Sequence, residues 1–123
     1  MNMNIEHIKT DGTDIAVVSS DEKLIVDVQS ALDLVMTVKY ETNATKIVLD
    51  KKAICEDFFI LSTGMAGEVL QKFINYHVQA AVYGDYSRYT SKPLKDFMYE
   101  ANHGKDFFFL STKEEAIQKL IET

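Results

Sequence analysis

Cysteine, proline, tryptophan and arginine are nearly missing from this sequence, and each shortage removes a class of protein. The one cysteine, Cys55, cannot close an internal disulfide. There is no CxxC, and His7, His77 and His103 are far apart, so zinc-ligand spacing is absent and no metal or cofactor is expected. Such a chain suits a reducing compartment, and the expected location is the cytoplasm. With one proline, Pro93, and five glycines, no linker, repeat or charge block divides the 123 residues, so a single domain over 1–123 is expected. No apolar run approaches the roughly 18 to 20 residues that cross a bilayer, and Met1 to Thr10 lacks the apolar core of a leader. Basic residues are outnumbered, 13 Lys plus Arg against 19 Asp plus Glu, and the net charge of −6 opposes binding by phosphate neutralisation. Nucleic acid is therefore not an expected partner.

What is present is a regular alternation of short elements. Residues 5–10 alternate in polarity, Asp11-Gly12 supplies a turn, and Ile15-Ala16-Val17-Val18 answers it as the second strand of a hairpin. Ser19-Ser20-Asp21-Glu22 is polar enough to start a short helical turn. Val28, Ala31, Leu32, Val35 and Val38 then fall on one helix face, with Asp27 as N-cap. Ile47-Val48-Leu49 reads as a strand covered on both faces. A helix from Gly64 to about Tyr76 carries Ala66, Val69, Leu70, Phe73 and His77 on its stripe. Residues 79–83 form the next strand, and a helix from about Pro93 to Asn102 buries Leu94, Phe97, Met98 and Ala101. Phe107-Phe108-Phe109-Leu110 is the last strand, and Ser111 to Glu114 reads as the capping box of a final helix with Ala116, Ile117, Leu120 and Ile121 inward. The order ββαβαβαβα describes an α/β domain with a mixed sheet of about five strands.

In such sheets the loops that leave the carboxyl ends of the strands gather at one edge, where ligands and partners usually bind. That reasoning brings together Asp50, Asp57, Asp85, Tyr86, Arg88, Tyr89, Ser91 and Ser111. Arg88, the chain's one arginine, could clamp a carboxylate or phosphate with its planar fork, while Tyr86 and Tyr89 offer stacking area. The plainer alternative pairs Arg88 with Asp85 and lets Ser91 cap the following helix. Asp50, Glu56, Asp57 and Asp85 could pair for acid–base work or a hard cation, yet no spacing among them is diagnostic. Cys55 precedes two acids, which disfavours a thiolate, and a Cys55/His77 dyad has only sequence proximity behind it. Phe58-Phe59-Ile60-Leu61 is either core or an apolar contact patch.

Ser30-Ala31-Leu32-Asp33-Leu34, Tyr40-Glu41-Thr42, Glu56-Asp57-Phe58-Phe59, Thr63-Gly64 and Tyr89-Thr90-Ser91-Lys92, together with Phe97, resemble the bacterial family called domain of unknown function 4180. The resemblance implies a small bacterial domain and no activity. A looser resemblance is to STAS domains, the fold of anti-anti-sigma factors, in which a hydroxyl just before a glycine at a helix start is a phosphorylation switch. It implies a STAS-like fold and puts Thr63, with Ser62 beside it, at the switch position, although Leu61 replaces the motif's acid. An added phosphate there would meet a helix N-terminus; the plainer role is an N-cap. No GxSxG, GxGxxG or Walker loop occurs, so a non-enzymatic interaction or regulatory module with a protein partner is expected. The rival is an anion-binding protein or small enzyme at the same edge. Self-association is left open.

Overall fold

The computed structural model describes residues 3–10 and 12–123. Strands β1 (Met3–Thr10) and β2 (Thr13–Ser20) form the hairpin, and Asp11 of its turn lies outside the described residues. Helix α1 (Val28–Thr42), β3 (Lys46–Asp50), α2 (Met65–Asn75), β4 (Gln79–Tyr83), α3 (Lys92–Asn102), β5 (Phe107–Leu110) and α4 (Lys113–Glu122) follow. This is the element order expected from the pattern, and the order implied by the STAS resemblance. The sheet runs β1-β2-β3-β4-β5, with β1 antiparallel to β2 and the remaining pairs parallel.

Alternation of side chains along the strands builds two cores. Ala16, Val18, Ile47, Leu49, Ala80, Val82, Phe107 and Phe109 face α1, α2 and α3, whereas Ile15, Val17, Val48, Ala81 and Phe108 face α4 through Ala116 and Leu120. The central strands thus read as continuous apolar runs because both faces are covered. Asp27 caps α1 in a reciprocal box with Ser30. The box on α4 pairs Thr112 with Glu115, one position beyond the predicted Glu114.

Several local expectations shift. Residues 21–24 form bends rather than a helical turn, and the segment instead pairs with the loop after β3 through the Ile25–Ile54 bridge. Leu34, not Leu32, completes the buried face of α1. On α3 only Leu94 is buried outright; Phe97, Met98 and Ala101 pack half-buried. His77 is exposed beyond the end of α2 with a φ of 57°, so it belongs to no buried stripe. No helix among the described residues is long and apolar enough to cross a membrane.

Candidate functional site

Because β2 to β5 are parallel, their carboxyl ends share one edge. The loop after β2 belongs to it too: Leu24 and Ile25 donate their N–H groups to the Ala53 carbonyl, and Lys23 Nζ donates to the Lys52 carbonyl at 2.7 Å. After β3 the chain winds through three 3-10 turns, Lys51–Ala53, Glu56–Phe59 and Leu61–Thr63, before entering α2. Phe58 and Phe59 drop into the core and anchor these turns, while Ile60 between them stays half exposed. The four-residue apolar run therefore divides: its phenylalanines are core, and Ile60 is surface.

Across from these turns lies the loop 84–91. Asp85 accepts from the Ser87 N–H at 2.9 Å, which tightens the loop locally; the Ser87 side chain first, then this N–H, holds its carboxyl below the usual range. Tyr86 is mostly buried against Phe59 and Phe109 and donates to the Val82 carbonyl at 2.8 Å; burial, then Tyr89 and Asp50, push its phenol far up, so it stays a donor. Tyr89 stacks on Phe59 at 5.1 Å between ring centres.

The two segments meet at Glu56. Its carboxylate accepts from the Tyr89 hydroxyl at 2.8 Å and from the Arg88 guanidinium, and Lys51 Nζ approaches it to 3.8 Å. Burial alone would raise the pKa of Glu56, but the Tyr89 hydrogen bond and the charges of Lys51, Arg88 and Lys23 outweigh it and hold the group below its ordinary value. A carboxyl with a depressed folded pKa contributes stability that is present above its ordinary pKa and disappears as the pH falls through the folded value. Glu56→Gln should thus melt below the wild type at neutral pH, and the gap between the two melting temperatures should close as the pH drops below about 4.5. A gap independent of pH would show that the carboxylate charge is not what joins the segments.

Arg88 therefore pairs with Glu56, not with Asp85 as the plainer alternative had it. Ser91 does cap α3, accepting from the Leu94 N–H. Asp50 caps the first 3-10 turn through the Lys52 N–H. Asp57 contributes its carbonyl, to Thr63 and to the Ile60 N–H, and among the described residues its carboxylate makes no hydrogen bond. Ser111 lines an open cleft of about 560 Å³ with Gly84, Asp85, Tyr86 and Ser87. A second open cleft, about 530 Å³, runs between Ile60, Leu61, Ser62 and the start of α3 at Ser91 and Pro93. Among the described residues no three His, Cys, Asp or Glu side chains are placed to hold a metal. Cys55 is half-buried, its thiol against the Val26 carbonyl at 3.7 Å and Met65 Sδ at 3.8 Å, and among the described residues no histidine bonds to it.

Thr63 and Ser62 are both exposed but differently engaged. The Thr63 hydroxyl lies 2.8 Å from the Asp57 carbonyl and 2.9 Å from that of Ile60, and accepts from the Met65 N–H at 3.2 Å. The N-cap position itself is Gly64, left-handed at φ 78°, a conformation glycine adopts without strain. Thr63 thus ties the 3-10 turns to the first turn of α2, whereas the Ser62 hydroxyl makes no hydrogen bond to the described residues. Thr63→Val should cost about 1 to 2 kcal/mol in urea unfolding, while Thr63→Ser should cost little.

Lys51 is the residue that pattern reading passed over. A lysine after a strand carries no motif; the signal it offers is its position directly after the end of β3.

Residues 10–120 match the family described as a domain of unknown function, DUF4180. No curated protein matches the sequence. Among solved structures, a candidate anti-sigma factor antagonist from Thermotoga maritima aligns over 95% of this chain and 94% of its own, with 14% identity and a TM-score of 0.47.

Proposed function

Because the chain belongs to the DUF4180 family, a description without an activity, its role must be read from its own surface, and we propose a single-domain bacterial interaction or regulatory module, working in the cytoplasm through its carboxyl edge. One observation carries this reading. Two segments far apart in sequence, Glu56 to Gly64 and Asp85 to Ser91, are clamped at Glu56 into one surface that displays half-exposed Ile60 and a free Ser62 hydroxyl beside an open cleft. Small-molecule sites usually enclose most of their ligand. The clefts along this edge are open troughs. A solvated edge with an apolar centre and a polar, charged rim is how a protein interface is built.

Ile60→Asp is the test. An apolar side chain half in water contributes little to folding, so the variant should keep the wild-type melting temperature within a few degrees and lose the specific partner in affinity purification from the source cell. Retention of every wild-type partner by the folded variant would refute this surface as the interface. Ser62, with its free hydroxyl, is the better acceptor for a regulatory phosphate than Thr63, whose hydroxyl is occupied. Phosphate found on Thr63 and never on Ser62 in protein from its own cell would reverse that order.

A further inference from the structure

Lys51 is an uncommon lysine. Its side chain is only 13% exposed, and its stem lies against the Gly84 backbone, where an added Cβ would stand 2.7 Å from Lys51 Cβ. Its ammonium rests against the rings of Phe59 and Tyr89, 5.2 and 4.9 Å from their centres. Yet among the described residues no acceptor lies within hydrogen-bond distance of this nitrogen; the nearest anion, Glu56, stands 3.8 Å away. Since no fully buried side-chain nitrogen or oxygen among the described residues lacks a partner, this nitrogen keeps contact with solvent, and its donors are open to an arriving anion.

The other donors at Glu56 converge with it. Arg88 and the Tyr89 hydroxyl come from the loop after β4, and Lys51 comes from the end of β3, so donors on two segments surround one carboxylate. That carboxylate is half exposed on a 3-10 turn and can swing into solvent. A planar carboxylate satisfies Arg88 and Tyr89 but leaves Lys51 out of reach, whereas a tetrahedral phosphate has enough oxygens to meet all three. Asp85 also feels Lys51 and Arg88; bonded to Ser87 it stays ionised, so it tempers the positive charge of the site without bridging the donors.

We infer that Lys51, Arg88 and Tyr89 form a phosphate-monoester site in which Glu56 is the chain's own stand-in for the ligand. This rests on reading the carboxyl edge as the working surface and gives that surface a ligand. An arriving phosphate displaces Glu56, removes the polar link between the Glu56–Phe59 turn and the loop 84–91, and so couples anion binding to the shape of the interface.

The test is titration of the purified chain with inorganic phosphate and with a phosphoserine peptide, followed by NMR of the Arg88 and Tyr89 signals. Glu56→Gln removes the competing charge and should bind phosphate about tenfold tighter than the wild type or better. In the Glu56→Gln background, Arg88→Ala and Lys51→Met should each reverse the gain. Arg88 is largely exposed, so its variant stays folded even if loss of Lys51 disturbs packing. Tighter binding of the peptide than of inorganic phosphate places the phosphate on a partner protein; equal binding places it on a small molecule. Equal phosphate affinity in wild type and Glu56→Gln, or no loss on Arg88→Ala, overturns the site. Because the Ile60→Asp test uses partner capture and this one uses phosphate alone, either can fail without the other.

Discussion

Phe58→Ala should destabilise the protein by about 3 to 5 kcal/mol, the range for removing a fully buried aromatic ring. Phe58 has no exposed surface and packs edge-on to Phe59 at 5.0 Å, with Phe107 at 6.0 Å and Phe109 at 6.3 Å. Its ring fills the space between the 3-10 turns and β5. The cavity left by alanine could not collapse without moving Phe107 and Phe109, which are themselves fixed in the sheet. Since Phe58 and Phe59 hold the turn that carries Glu56, the variant should also loosen the clamp. Chemical unfolding reads the first effect, and the closing of the pH-dependent gap between the variant and its Glu56→Gln double mutant reads the second. A loss well under 1 kcal/mol would mean that the turns are not part of the core.

Gly84→Ala is the second large effect, and it arises from one contact. Gly84 donates its N–H to the Leu110 carbonyl at 3.1 Å, which pins it between the ends of β4 and β5. A Cβ at this position would stand 2.7 Å from Lys51 Cβ, an atom anchored to the backbone of β3's exit and unable to rotate away. Relief requires the loop or the Lys51 backbone to move, at a cost of about 1 to 3 kcal/mol. Either movement disturbs the contact of Lys51 with the stacked rings of Phe59 and Tyr89. The expected result is a lower melting temperature together with loss of the phosphate affinity gained by Glu56→Gln. A Gly84→Ala protein of wild-type stability would show that the edge is softer than this packing implies.

How much of this could be read from the sequence depended on how local the signal was. The helices and strands were legible because each carries its own period: β3 and β5 as short apolar runs, α2 and α4 as stripes, and Asp27 and Ser91 as caps that satisfy N–H groups within three residues, whereas the α4 box, read over Ser111 to Glu114, falls one residue later on Thr112 and Glu115. Gathering of Asp50, Gly84 and Ser111 at one edge followed from parallel strands alone. Pairing within the edge did not follow. Arg88 reaches a residue 32 positions earlier, and nothing local distinguishes Glu56 from Asp57 or Asp85 as its partner. The split of Phe58, Phe59 and Ile60 into core and surface was also illegible, because 3-10 turns of three or four residues impose no lasting period. Thr63 shows the same limit from another side. Its position before Gly64 suggested either a switch hydroxyl or an N-cap, but the N-cap position is Gly64 and the Thr63 hydroxyl bonds to carbonyls of the preceding turns.

The most direct measurement of the central claim is site-specific photo-crosslinking in the protein's own cell, with the crosslinking side chain placed at position 60 or at position 40. Tyr40 is the most exposed large apolar side chain among the described residues, at 91%, against 50% for Ile60. It lies near the end of α1, beside the amino ends of the strands. If the carboxyl edge is the working surface, position 60 yields a discrete adduct with a partner, Ile60's neighbour mutation Glu56→Gln alters its yield, and position 40 yields none. Adducts at position 40 with none at position 60 would contradict the account.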